Sequence, residues 1–393
     1  MLSVYREHGV VKKSSRDDNH NQTAEDRSIY QLVDKGWLIV NRMKAWQGAV
    51  GISPQRGIVS GHYLCFRPRH NEDHRFLNLL LRCSAYTPMY ACLSRGVRPG
   101  QLEIDNDELR KLKVALPSRQ EQQVIADYLD DEIARINESI SNQHRARRVL
   151  FERRGANVLH AVTGGRLDSR RQSTLDWFTT VPTAWRTVKL SHFARLGSGH
   201  TPSRARAEWW RDCAIPWITT GEVSQVRDDR LEILTKTREC ISEAGLANSA
   251  AAVHPKGTVV LCRTAASAGY SAVMGGDMAT SQDFVTWTCG PELDPFYLLW
   301  CLRAMRSDLL GRLAMGSTHK TIYVPDLQML RIPLPPLAEQ RTIVESIRES
   351  NSVIDATVDA IDLQLALMAE RRDALITAAL SGQIDGAVGG VVA

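Results

Sequence analysis

LPPLAEQRTIV, residues 334–344, decides how this chain is organised. Two prolines run straight into a Glu-Gln pair and then into a long apolar-periodic stretch. Residues 116–126, LPSRQEQQVIA, write nearly the same sentence. Both are helix starts. Ser118 with Glu121 has the spacing of a capping box, in which side chains satisfy orphan backbone donors of the first turn. In the later copy Pro335 and Pro336 preset φ, and Glu339 puts negative charge where the helix dipole favours it.

The helix opened by the second copy carries a seam at Ile347, Asn351, Ile354, Val358, Ile361, Leu365, Met368, Arg372, Leu375 and Ala379. Its steps alternate four and three, the 3.5-residue period of a coiled coil. Moved back by 218 positions, the register falls on Leu129, Ile133, Ile136, Ile140, Gln143, Arg147, Leu150, Arg154, Asn157 and Ala161, with a more polar distal half. Forty-odd residues at 1.5 Å each make rods of roughly 60–65 Å. Such a rod buries too little apolar surface alone, so it needs a partner helix. The expected partner is its own repeat, packed antiparallel.

The duplication extends outward. KGWLIVNR (35–42) lies on KGTVVLCR (256–263), Gly48 on Gly269 and Ser60 on Ser281, an offset of 221. Each copy then gives a short helix, RFLNLLLRC or FYLLWCLRA, and a Gly-bearing loop, SRGVRPGQLEI or AMGSTHKTIYV. The expected fold class is α+β: two α/β domains separated by a long antiparallel two-helix coiled coil, as a tandem pseudo-repeat. Boundaries are drawn at 1–113, 114–168, 169–331 and 332–386, with a flexible tail at 387–393. The copies differ at their beginnings: about 75 residues from Val181 precede Lys256-Gly257, but only 34 precede Lys35-Gly36. The first domain is expected to be N-terminally incomplete by roughly forty residues, with no counterpart of RLGSGHTPS or IPWITTGEV.

Net charge is +5, divided as +6, 0, +4 and −5 over the first four segments, so the two globular domains hold the positive charge. Arginine (39) far outnumbers lysine (10), and its planar fork suits guanine edges and phosphates. The eight cysteines are scattered, without C-x-x-C or zinc-ligand spacing, and read as reduced structural thiols. No run approaches the roughly 18–20 apolar residues of a membrane span, and no signal-peptide pattern opens the chain, so a cytoplasmic location is expected.

Enzymatic signatures are missing: no P-loop, no G-x-G-x-x-G after a strand, no H-E-x-x-H, no G-x-S-x-G. DPFY at Asp294 reads as a helix cap with Pro295 at the first helical position. What remains is basic and polar loop chemistry at matched places. NRMKAWQG (41–48) offers Arg42, Lys44, Trp46 and Gln47, while CRTAASAG (262–269) keeps Arg263 alone. The later loops hold Arg95 and Arg98 in one copy, and Ser317, Thr318, His319 and Lys320 in the other. Two like frames with divergent polar loops suit two readers of different targets, since positioning contacts stay while base-edge contacts vary.

PLPPLAEQR, ERRDALITAALSGQID, RLGSGHTPS…IPWITTGEV…GSTHKTIYVPDL and YQLVDKGWLIVNRMKAWQGAVGIS together resemble the specificity subunits of type I restriction-modification systems. The resemblance implies a non-catalytic chain whose globular units are target recognition domains, each reading one half of a bipartite site on double-stranded DNA. It implies that the helices scaffold two modification (methyltransferase) subunits and, through the complex, the restriction subunits. Methyl donor, ATP and magnesium would belong to those partners, so this chain needs no cofactor or metal of its own. The DNA-contact candidates are Arg42, Lys44, Gln47, Arg98, Ser203, Arg204, Arg263, Thr318, His319 and Lys320. The seam candidates are Leu129, Ile133, Ile136, Ile140, Leu150, Ile347, Ile354, Val358, Ile361, Leu365 and Met368. A truncated, inactive or half-site dimerising subunit, a coiled-coil scaffold without DNA binding, and an enzyme with its own nuclease or methyltransferase activity are the alternatives.

Overall fold

The computed structural model describes residues 1–15, 28–96, 102–165, 167–315 and 321–383. The chain divides into two compact units, residues 1–145 with 361–393, and residues 146–360. Each unit holds one mixed α/β lobe and a portion of both long helices.

In the first unit, β1 (Leu38–Asn41) is built from the β-branched run of GWLIVN and pairs antiparallel with β2 (Val50–Ile52) and β3 (Tyr63–Phe66). The register sets Leu38 opposite Ile52 and Phe66, and Val40 opposite Leu64. Helix α1 (His74–Arg82) follows. Its first turn is closed by Asp73, which accepts the N–H groups of Arg75 and Phe76, and it buries Phe76, Leu77 and Leu80. The first long helix, α2 (Arg119–Val162), starts at the expected capping box, with Glu121 N–H donating to Ser118 Oγ and Ser118 N–H to Glu121 Oε2.

In the second unit a short hairpin, Arg170–Gln172 with Thr180–Pro182, precedes β4 (Arg186–Lys189) and β5 (Ala194–Ser198). The unit then repeats the first lobe pair by pair. Strand β6 (Val259–Cys262) lies between β7 (Ser271–Met274) and β8 (Phe284–Cys289), with Val259 opposite Val273 and Trp287, and Leu261 opposite Val285. Every one of these pairs is its first-unit counterpart displaced by 221 positions. Gly36 and Gly257 share φ near +86°, as do Gly48 and Gly269 near +88°, so both turns need glycine for the same backbone reason. Helix α3 (Pro295–Ala304) takes Asp294 as its cap and Pro295 at its first position. Strand β9 (Arg331–Leu334) then leads into the second long helix, α4 (Leu337–Leu380).

The long helices pack antiparallel within each unit. In the first, Gln143 Nε2 donates to Gln364 Oε1 at 2.9 Å and Arg372 Nη1 to Asn137 Oδ1 at 3.3 Å. In the second, Asn157 Nδ2 donates to Ser350 Oγ at 3.0 Å and Arg154 Nη1 to Asp355 Oδ1 at 3.0 Å. Numbers rise along one helix as they fall along its partner. Leu129, Ile136, Ile347, Ile354, Val358 and Ile361 are buried; Ile133, Ile140, Leu150, Leu365 and Met368 are half-buried. Val158, Val162, Val344 and Ile347 enter the second lobe's core beside Leu298 and Leu299, so helix and lobe share one apolar interior.

One buried glutamine in each repeat joins lobe to helix. Gln340, fully buried, accepts the Asp294 N–H at 2.8 Å and donates to the Glu292 and Pro335 carbonyls, each at 2.9 Å. Gln122, also fully buried, accepts the Asp73 N–H at 3.0 Å and donates to the Pro117 carbonyl at 3.0 Å and the Glu72 carboxylate at 2.5 Å. Each amide uses both its ends to pin the long helix's first turn to the cap of the lobe's short helix. Gln340→Ala leaves one N–H and two carbonyls without partners, at about 1–3 kcal/mol for each buried group. It is expected to destabilise the second unit by about 2–5 kcal/mol. Chemical denaturation, together with faster hydrogen exchange at the α3 first turn, checks this.

Candidate functional site

Between β1 and β2 the chain turns through Arg42–Gly48. Asn41 Oδ1 accepts the N–H groups of Met43 and Lys44, an Asx turn, and Ala45 is buried beneath it. That geometry leaves Arg42, Lys44 and Gln47 exposed. Arg42 Nε donates to Glu103 Oε1 at 2.7 Å, with both side chains nearly half exposed. A pair so open to water contributes about 0–1 kcal/mol, so the guanidinium is available for exchange onto another anion. The Arg42 carbonyl accepts the Ile104 N–H, which places the hairpin Ser94–Arg95/Glu103–Ile104 beside the turn. That hairpin leads to Arg98, which lies outside the described residues.

The second unit repeats the frame with other side chains. Arg263 receives the Ile322 N–H on its carbonyl, as Arg42 receives that of Ile104. Its own Nε donates to the Gln282 carbonyl at 3.0 Å. The Gln282 side chain in turn accepts from Thr201 Oγ1 at 2.5 Å, and Thr264 and Ser281 both donate to Asp283. This brings the turn after β5 next to the Arg263 turn. Gly199 is required there, because a Cβ would overlap the Thr280 carbonyl. Ser203 and Arg204 follow and are exposed. Arg204 is engaged elsewhere: its guanidinium lies 3.9 Å over the Trp210 ring and pairs with Glu239. Thr318, His319 and Lys320 lie outside the described residues.

Each lobe thus gathers the strand turn at Arg42 or Arg263 and the base of the following hairpin. His62 and the group Thr201, Gln282 and Asp283 escaped sequence reasoning. His62 is exposed, and its carbonyl accepts the Arg42 N–H, as that of Asp283 accepts the Arg263 N–H. The signal was present: SGH (60–62) against SQD (281–283) is a matched scaffold serine followed by divergent polar residues.

Other arginines serve the fold. Arg303, buried, donates to the carbonyls of Asp229, Leu231 and Ser271. Burial pulls its pKa down to about 10, with Asp229 opposing, which leaves it charged at neutral pH. Arg306 makes a bidentate pair with Asp229 at 2.6 and 2.8 Å. Four of the eight thiols are held protonated by burial, which pushes Cys65 and Cys262 up to about 11, and Cys289 and Cys301 to about 12. Among the described residues no group of three or more His, Cys, Asp or Glu side chains is placed to hold a metal ion. No helix among them is long and apolar enough to cross a membrane.

The site is therefore a set of exposed guanidinium, amide, ammonium and hydroxyl groups on adjoining loops, suited to hydrogen-bonding an anionic, edge-presenting ligand. Comparison with known proteins points the same way. The model of the type I restriction modification DNA specificity domain matches twice, over residues 5–144 and 182–357. A Methanocaldococcus jannaschii chain named for the MjaX type I restriction enzyme specificity subunit is 22% identical over 84% of this chain and 75% of its own length. The EcoR124I/EcoR124II specificity subunit of Escherichia coli is 21% identical over 47% of this chain and 44% of its own. Among solved structures, a chain from work on complex assembly and conformational transition of the type I R-M system superposes with a TM-score of 0.69 at 18% identity, covering 91% of this chain and 84% of that one. The HsdS subunit from Thermoanaerobacter tengcongensis gives 0.54 at 19% identity, covering 92% and 84%.

The two arginine classes should separate in thermal and chemical melts. Arg42→Ala is expected to shift stability by less than about 1 kcal/mol. Arg303→Ala removes its hydrogen bonds to the Leu231 and Ser271 carbonyls, while the Asp229 carbonyl keeps Arg154, and is expected to cost about 2–5 kcal/mol.

Proposed function

Because the chain belongs to the type I restriction-modification DNA specificity family, we propose that its two lobes, 1–113 and 169–331, each read one half of a bipartite site on double-stranded DNA. The observation that carries this reading is the repeat itself. Strand registers, turn glycines and caps coincide at one offset, while the loops at Arg42–Gln47 and Arg263–Ser267 carry different side chains. A shared frame presents the reader to the duplex, and the variable loop reads the base edges. Arg42, Lys44, Gln47, Arg98, Ser203, Arg204, Arg263, Thr318, His319 and Lys320 are the proposed contacts, with His62 added.

The reading includes a scaffold role for the segments 114–168 and 332–386. Val149 and Phe151 on α2, and Val353, Leu363 and Leu367 on α4, are 40–69% exposed, apolar positions on helices that already bury their seam. Such residues suit the docking of modification (methyltransferase) subunits, through which restriction subunits join. The chain itself is the specificity component and not the catalytic one. Its place of work is the cytoplasm, where those partners meet DNA.

Methylome sequencing of a host expressing this chain with its modification subunit tests the proposal. A bipartite methylated motif is expected. Arg263→Ala should relax one position in the half read by the second lobe, losing about 1–3 kcal/mol of discrimination there. Lys44→Ala, if it meets phosphate, weakens all sequences alike and lowers the salt dependence of binding. A palindrome built from a single half-site would point to a half-site, dimerising subunit. An intact complex that leaves no motif, or duplex binding indifferent to Arg42→Ala and Arg263→Ala, would sink the reading.

A further inference from the structure

The junction between lobe and long helices is built twice, and its charges do not match. In the second unit Arg154 of α2, Arg303 of α3 and the nearby Arg306 converge on the turn at residues 228–231. Carboxylates answer them. Asp355 of α4 accepts from Arg154 at 3.0 Å, and Asp229 takes the bidentate pair from Arg306 while lying 3.4 Å from Arg303 Nε.

The first unit keeps two of the cations and loses both acids. Arg303 lies on Arg82 at the lobe offset of 221, and Arg154 on Arg372 at the helix offset of 218. Asp355 falls on Asn137 by that same helix offset. Asp229 falls on His8 by offset and on Gly9 by backbone conformation, φ +58° against +64°, and neither is an acid. Arg306 falls on Ala85, which leaves out the guanidinium that packs against Gly269.

What remains is an open cavity of about 600 Å³ with Arg82 and Arg372 in its wall. Arg82 Nη2 donates to the carbonyls of Arg6 and Glu7, but its Nε is buried with no hydrogen-bond partner among the described residues. Arg372 Nη1 donates to Asn137 Oδ1 at 3.3 Å, and its Nε lies 3.6 Å from the exposed carboxylate of Asp373, its chain neighbour. Burial, and after it the charge of Arg372, hold the Arg82 pKa below the usual guanidinium range. Gln47, Ser84 and Thr87 add neutral hydrogen-bonding groups, while Arg6, Glu7 and His8 are exposed at the rim. Two like charges beside one partly dry space repel, and an anion between them removes that repulsion.

The contrast holds at positions described in both copies. Every hydrogen-bond and ion-pair partner of Arg154, Arg303 and Arg306 named above has its counterpart among the described residues of the first unit. The counterparts of residues 16–27 are 237–248, and these bond elsewhere: Arg238 to Ser224, Glu239 to Arg204, Ser242 to Trp209.

We propose that this cavity is a phosphate-binding site, in which one oxyanion takes the place that Asp355 and Asp229 hold in the sister unit and accepts from Arg82 Nε and the Arg372 guanidinium. Guanidinium forks suit the tetrahedral oxygens of that group. The group arrives as free phosphate or as a backbone phosphate of a duplex held at Gln47, a proposed DNA contact that lines the cavity. The site stands on the repeat and does not depend on which bases the lobes read.

Calorimetric titration of the full chain with inorganic phosphate, against chloride at equal ionic strength, tests it. Saturable binding of one phosphate is expected, with hydrogen exchange slowed at residues 6–9 and at the end of α1. Asn137→Asp restores the carboxylate of the sister unit. It is expected to weaken phosphate binding by about ten- to a hundredfold, the scale of one charge-assisted hydrogen bond, and to raise the melting temperature in chloride. Arg372→Gln should weaken phosphate binding without that gain. Duplex affinity separates the sources: a matching loss in Asn137→Asp assigns the site to the DNA backbone, and an unchanged affinity assigns it to free phosphate. No saturable phosphate binding by the wild-type chain, binding untouched by both variants, or a lower melting temperature for Asn137→Asp overturns the proposal. So does binding that appears only once Asp17→Asn, Asp18→Asn, Glu25→Gln and Asp26→Asn are combined, which assigns the cavity to the chain's own acids.

Discussion

Gln340 and Gln122 each satisfy three backbone or side-chain partners from a site without water access. Among uncharged side chains only a carboxamide accepts at one end while donating two N–H bonds from the other. Because its partners are the short helix's cap on one side and the proline hinge on the other, the long helix can leave its lobe in one direction only. The seam and the shared apolar interior are built from that starting direction. Had the position been leucine, the hinge would be apolar and the exit angle would rest on packing alone.

Within this frame, arginine has two separate uses. Arg154, Arg303 and Arg306 are drawn inward onto Asp355, Asp229 and the carbonyls of residues 228–231, where every hydrogen bond is strengthened by the low local dielectric. Arg42, Arg95 and Arg204 stay outside, held only by exposed pairs or ring stacking that exchange easily. The first set makes the turn at Asp229 rigid. The second is a reservoir of planar donors on loops. A specificity subunit needs both, because a reader discriminates only if its donors are presented at fixed positions.

The duplication also explains where the two units part company. Matched strands at one offset show that the same frame folds twice, yet among the described residues β8 is flanked on both sides and β3 on one. In the second lobe Arg186–Ser198 supplies the flanking strands, β4 beside β9 and β5 beside β8.

Much of this was written in the chain. The repeat, the capping box at Ser118–Glu121, the Asp294–Pro295 cap and the 3.5-residue seam depend on neighbours in sequence or on a fixed period, so composition and spacing suffice to see them. The exposure of Arg42 and Lys44 follows from a short polar turn between apolar strands, which is equally local. Other features depend on which distant residues meet. That Gln122 and Gln340 are buried and fully bonded is invisible in LPSRQEQQ and LAEQR, where glutamine reads as a solvated helix former. That Arg204 stacks on Trp210, that Thr201 reaches Arg263 through Gln282, and that Arg303 is a core residue were settled by tertiary packing. Sequence dictates local conformation through torsional preference and periodic hydrophobicity. Only the closed fold decides which polar groups lose water and must find one another.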